Sequence, residues 1–192
     1  MNEETQGLIQ AIKAIIFDVD GVLTDNTVPF EREKGTRYRS YYDGQGTSLL
    51  RAVGIRLCFI TNEKGESAAG IEDLIKKLNN LPSSRREDSP NGWEHIKLYT
   101  GMGGDKKVVA AEEWLTEVGT SFDECGFMGD DLVDLALMRR VAFRAAPISG
   151  EEVIKKMSHF VSSRPGGHGA IRDLANFILT ARGIDPTTLP PQ

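Results

Sequence analysis

Short apolar runs alternate with amphipathic stretches along this chain of 192 residues, and several of the runs stop abruptly at polar residues. Residues 12–17, Ile55–Ile60, Ile96–Thr100, Cys125–Gly129, Val141–Ala145 and Phe160-Val161 have the length and apolar content of strands. Between them lie segments of helical period. Ser48–Val53 ends at Gly54, and a stretch from about Glu66 to Leu78 carries Ala68, Ile71, Leu74, Ile75 and Leu78 on one face. Asp105, placed to cap its helix, opens a third that runs to about Val118, and Leu135–Arg139, Glu151–Met157 and Ala170–Arg182 follow, the last stopped by Gly183. Strand and helix in repeated alternation define the α/β class, a parallel sheet covered by helices on both faces. Ligands in such sheets bind at the carboxyl ends of the strands. Asp18, Thr61 and Asp130 each fall directly after a strand candidate, with Lys106 a short loop beyond another, so the pattern gathers them at one edge.

The remaining segments read as connections. Residues 26–43 contain Tyr38, Tyr41 and Tyr42 around a turn at Gly35, which predicts a β-hairpin. Asp43-Gly44-Gln45-Gly46 predicts a loop, with Thr47 or Ser48 capping the helix after it. Residues 79–95, with paired Asn, two Pro and several Ser, predict a surface insertion, and 186–192 a flexible tail. The whole of 1–192 is expected to form a single domain. A net charge of −5 with scattered Lys and Arg gives no footprint for nucleic acid, and no apolar run is long enough to span a membrane. Met1–Gln10 lacks the features of a signal peptide. Cys58 and Cys125 sit in apolar strand runs, which predicts buried reduced thiols and a cytoplasmic protein.

The chemistry concentrates in Ile15-Ile16-Phe17-Asp18-Val19-Asp20-Gly21-Val22-Leu23-Thr24. Residues two apart on a strand point to opposite faces, so bringing both carboxylates to one site needs a turn, which Gly21 permits. Crowded carboxylates repel, and a hard divalent cation, Mg2+ first among them, relieves the repulsion. An acidic turn after a strand explains one such pair without function. It does not explain a second acidic cluster, Gly129-Asp130-Asp131-Leu132-Val133-Asp134, after another strand.

Asp18-Val19-Asp20-Gly21-Val22 resembles the DxDx(T/V) signature of the haloacid dehalogenase superfamily phosphatases, and Thr61, Lys106 and GDDxxD resemble its other three motifs in order. The resemblance implies a Rossmann-like parallel sheet flanked by helices, with Asp18 as nucleophile and Asp20 as general acid and base. It implies phosphate binding by Thr61, Asn62 and Lys106. Mg2+ would be held by Asp18, the Asp20 carbonyl and Asp130, with Asp131 behind them and Asp134 orienting its neighbours. Only the hairpin and one helix fit between Asp20 and Thr61, and 79–95 is too short for a core, so no cap domain is expected.

Tyr42–Gly46 and Arg164–Asp173 are similar to the D-G-x-G and G-G-x-G-A-x-R-E segments of the capless phosphatases of 3-deoxy-octulosonate 8-phosphate. That resemblance implies a homotetramer acting on a small sugar-acid phosphate, with Arg172 near the substrate or a subunit contact. On structural grounds alone, Arg172 would pair with Asp173 or a nearby acid. Thr61-Asn62-Glu63 departs from the octulosonate enzymes, whose T-G-R places an arginine where Glu63 stands, and is nearer the T-G-E of nine-carbon sugar-acid phosphatases. Two other readings stand beside this one. A non-catalytic oligomerisation module accompanying a sugar-acid cytidylyltransferase is opposed by the retained motifs. Phosphoryl transfer to a second sugar is opposed by the missing cap.

Overall fold

The structure, a computed structural model, describes residues 2–28, 38–85 and 92–189. Six parallel strands form one sheet: β1 (Ala14–Asp18), β2 (Arg56–Ile60), β3 (Lys97–Tyr99), β4 (Cys125–Met128), β5 (Phe143–Ala146) and β6 (Phe160–Val161). Their order is β3-β2-β1-β4-β5-β6. β1 is buried throughout and pairs with β2 on one side and β4 on the other. The chain therefore leaves β1 in one direction and later returns to its opposite side. The reversal opens a crevice at the carboxyl ends of β1 and β4.

Alternate residues of the central strands serve two cores. Ile15 and Phe17 of β1 join Leu57 and Phe59 of β2 on one face. The Phe17 and Phe59 rings stack there at 5.2 Å. That face is covered by α1 (Glu3–Ala11), α2 (Tyr41–Ala52), α3 (Ala69–Asn79) and α7 (Ala170–Ala181). Ala14, Ile16, Cys58 and Ile60 face the other way, against α4 (Asp105–Glu117), α5 (Leu135–Met138) and α6 (Glu152–Met157). The expected parallel α/β sheet is present, and both cysteines are buried and unbridged.

Local chemistry changes several expectations. Residues 29–37 of the predicted hairpin lie outside the described residues, but Tyr41 and Tyr42 are in the first turn of α2, not in a strand. Asp43–Gly46 is likewise helical rather than a loop, and the cap is Ser40, not Thr47 or Ser48. The Ser40 hydroxyl accepts the Tyr42 N–H at 3.1 Å, and an N-cap serine outweighs the strand preference of the tyrosines. Thr47 and Ser48 instead donate back to the Gly44 carbonyl. Glycine at position 46 lets α2 approach α7, because a Cβ there would lie 2.9 Å from the Arg172 backbone. Asp105 sits in the first turn of α4, whose N-cap is Gly104. An unforeseen helix, α1, starts at the Asn2 cap, whose side chain accepts the Thr5 N–H at 2.8 Å.

The flanks of the 79–95 insertion are anchored. Arg51, 3% exposed, donates to the Ser84 hydroxyl at 2.7 Å and to the Glu94 and Leu78 carbonyls. Its guanidinium also lies over the Trp93 ring. Burial lowers the Arg51 pKa to about 10, which still leaves it charged. In the tail, Pro186–Thr188 forms a short 3-10 turn, and residues 190–192 lie outside the described part.

Candidate active site

β1 ends at Asp18, and the chain then folds into a tight turn. The N–H groups of Leu23 and Thr24 both reach the Val19 carbonyl, at 2.9 and 3.0 Å. Gly21 has φ +87, and a Cβ there would lie 1.9 Å from Asp130 Oδ2. Glycine thus both permits the turn and allows the β4 carboxylate to close on it. The turn carries Asp20 round to the side of Thr61. Thr61 Oγ1 donates to Asp20 Oδ2 at 3.2 Å, and Thr24 Oγ1 to Asp20 Oδ1 at 3.4 Å. Asp18 stays buried, and its Oδ1 accepts the Val19 N–H at 2.8 Å.

The lysine facing Asp18 is Lys107, not Lys106. Lys107 Nζ lies 2.8 Å from Asp18 Oδ1 and 2.6 Å from Asp134 Oδ1, with its side chain 1% exposed. Lys106 is on the exposed side of α4. The helical period was the missed signal: 107 shares a face with the buried Ala110, Ala111 and Trp114, while 106 does not. Burial works against the Lys107 ammonium, but Asp18 and Asp134 outweigh it and hold the lysine charged.

Asp18, Asp130 and Asp134 offer carboxylate oxygens within 4.8 Å of one another. Asp134 is already committed. Its Oδ1 takes Lys107, and its Oδ2 accepts the N–H groups of Asp130 and Asp131, at 2.9 and 3.2 Å. It therefore orients its neighbours, while Asp131 caps the Leu132 N–H. Asp130 Oδ1 is buried without a hydrogen-bond partner among the described residues. Burial, and then the charges of Asp134 and Asp131, push the Asp130 pKa up to about 7. Burial and Asp134 likewise push Asp18 well above the carboxylate range. An orphaned oxygen beside an ionisable neighbour, both held out of water, fits a hard divalent cation. Asp18 and Asp130 are the side chains that could hold it.

Thr61, directly after β2, is fully buried, and its loop is stitched to the one before α4 by Met102 N–H to Thr61 O (2.9 Å) and Gly101 N–H to Glu63 O (2.7 Å). Asn62 backs against Gly103 in that loop, and Glu63 is half-buried beside it. Arg172 is in the first turn of α7. It contacts Asn176 and Gln45, and the expected pairing with Asp173 is replaced, since Asp173 is held by Arg164 at 3.2 Å.

No protein-family model matches the chain. The 3-deoxy-D-manno-octulosonate 8-phosphate phosphatase of Yersinia pestis is 29% identical over 173 residues, 89% of this chain and 81% of that protein. A Legionella pneumophila structure assigned to the haloacid dehalogenase superfamily (subfamily III A) superposes with a TM-score of 0.76 at 27% identity, covering 94% of this chain and 88% of its own. The 3-deoxy-D-manno-octulosonate 8-phosphate phosphatase of Moraxella catarrhalis, solved with magnesium, phosphate and 3-deoxy-D-manno-octulosonate, has a TM-score of 0.77 at 26% identity, covering 94% of this chain and 93% of its own. In sequence and in fold, most of the chain is similar to 3-deoxy-D-manno-octulosonate 8-phosphate phosphatases and to a hydrolase of the haloacid dehalogenase superfamily. The strand-end cluster at Asp18 is the candidate catalytic centre, and Asp20 is a half-buried carboxylate beside it.

Proposed function

We propose that this protein hydrolyses the phosphate monoester of a 2-keto-3-deoxy sugar acid with Mg2+ as cofactor. The observation that carries the reading is the Asp18–Lys107 pair set against the orphaned oxygen of Asp130. Asp18 Oδ attacks phosphorus, the bond from phosphorus to the sugar oxygen breaks, and Asp20 gives that oxygen its proton. Water then attacks the aspartyl phosphate, returns a proton to Asp20 and releases inorganic phosphate. Lys107 neutralises phosphoryl charge and holds Asp18 in line, and the first turn of α4 adds its dipole. Asn62 and the Thr61 hydroxyl complete the phosphate cradle. When bound, Mg2+ would supply positive charge that lets phosphate approach Asp18, with Asp18, the Asp20 carbonyl and Asp130 as its ligands.

The substrate that the similar proteins favour is 3-deoxy-D-manno-octulosonate 8-phosphate. Glu63 supports a second reading, because a carboxylate cannot pair with the substrate carboxylate as an arginine would. Hydroxyls of a nine-carbon 9-phosphate, of 2-keto-3-deoxy-nononate or a sialic acid, are better matched to it. A panel assay separates the two. We expect phosphate release that depends on Mg2+, stops on chelation, and ranks one of these substrates at least about tenfold above p-nitrophenyl phosphate in kcat/KM. Absence of turnover on every phosphoester by folded, Mg2+-loaded protein would instead favour a non-catalytic module.

The reading includes a homotetramer in the cytoplasm, with Arg172 near the substrate or a subunit contact and the C-terminal tail contributing to a neighbouring subunit's site. No helix among the described residues is long and apolar enough to cross a membrane. Light scattering is expected to give four times the mass of the chain. A monomer would remove the shared site.

A further inference from the structure

Asp43 is a fully buried carboxylate with no part in the chemistry above. It lies in the first turn of α2, yet its partners are 126 to 129 residues away. Asp43 Oδ2 accepts the Gly169 N–H at 2.9 Å, and Oδ1 accepts those of Ile171 (2.9 Å) and Arg172 (3.3 Å). These are the free N–H groups at the start of α7, whose own N-cap, Gly169, has no side chain to satisfy them. One helix thus caps another.

Two segments held by this clamp grip the catalytic turn. Gly166, just before α7, packs so tightly on the Gly21 carbonyl that a Cβ there would lie 1.7 Å from it. Beside it the Gly167 N–H donates to the Val22 carbonyl at 3.0 Å, and the Gly166 N–H to the Ser149 hydroxyl at 3.1 Å. On the other side, the Tyr38 carbonyl just before α2 accepts the Asp25 N–H at 3.3 Å. Residues 21–25 are therefore held between the 165–169 loop and the lead-in to α2, and Asp43 ties those two together. The turn itself aims Asp20 through Thr24.

We infer that Asp43 is a positioning residue for Asp20: by locking the start of α7 onto α2 it fixes the turn that presents the general acid to the leaving oxygen. The inference rests on the assignment of Asp20 as that acid. It has a signature that loss of folded protein lacks. An alkoxide needs a proton as it departs, whereas p-nitrophenolate leaves without one. Misplacing Asp20 should therefore slow the first chemical step selectively for the alkyl ester.

The test compares kcat/KM for 3-deoxy-D-manno-octulosonate 8-phosphate and p-nitrophenyl phosphate in wild-type, Asp43→Asn and Asp20→Asn protein, all with Mg2+. The ratio of the two substrates in one sample does not depend on how much of the protein is folded. Asp20→Asn is expected to lower the alkyl ester by about 100-fold or more and the aryl ester far less. Asp43→Asn is expected to show the same selectivity at smaller size, about tenfold on the alkyl ester and under about threefold on the aryl ester. If Asp20→Asn lowers both substrates equally, the assignment of Asp20 falls and this inference falls with it. If Asp20→Asn is selective but Asp43→Asn lowers both equally, or neither, Asp43 only stabilises the helix pair.

Discussion

Replacing Asp18 with Asn is expected to reduce phosphatase turnover by at least about 10^4-fold, because the amide cannot attack phosphorus. The same change should leave the fold intact. Asp18 is isosteric with Asn, it is buried, and its carboxylate is held against the charges of Asp134 and Asp130. Removing one negative charge from that cluster relieves repulsion when no cation is bound. Lys107 keeps its 2.6 Å contact with Asp134. Thermal melting without metal should therefore show a midpoint no lower than wild type, while steady-state assays show no turnover above background. Near wild-type rates in Asp18→Asn would remove the nucleophile from the mechanism. A collapse of the melting midpoint would show that Asp18 holds the fold rather than the reaction.

Lys107→Met is expected to cost about 3–5 kcal/mol of stability, since it strips the shared cation from two buried carboxylates. For a domain of this size that lowers the melting midpoint by about 10 °C. Turnover should fall as well, as the phosphoryl charge loses its lysine. Lys106→Met, one residue earlier, should change stability by less than about 0.5 kcal/mol and leave the rate within about twofold, because that side chain is exposed. Chemical denaturation and steady-state kinetics on the two variants decide between neighbouring lysines. A severe Lys106→Met with a mild Lys107→Met would overturn the geometry.

The two lysines also show where sequence reasoning loses resolution. Strand-end placement locates a loop and the helix after it to within a residue or two, and both lysines satisfy it. Only the packing of Ala110, Ala111 and Trp114 into the core decides which of them turns inward. Tyr41 and Tyr42 fail for a related reason. Their preference for strands is weak beside an N-cap at Ser40 and the burial of α2 against α7. Arg51 is a third case, since a single arginine between apolar residues gives no sign that three groups from the 79–95 flanks will meet it.

The sequence by itself determined the parallel α/β sheet, the strand ends at Asp18, Thr61 and Asp130, and the acidic cluster at Asp130–Asp134. Those are local matters, set by the period of apolar residues and by glycines that permit tight turns, so each is written within about ten residues of chain. What the tertiary structure alone decided is which groups meet. Lys107 bridges Asp18 and Asp134, Thr24 and Thr61 take the two oxygens of Asp20, and Asp43 caps a helix that begins 127 residues later. Those pairings depend on burial that withholds water from each charge and leaves it only the partner the fold supplies.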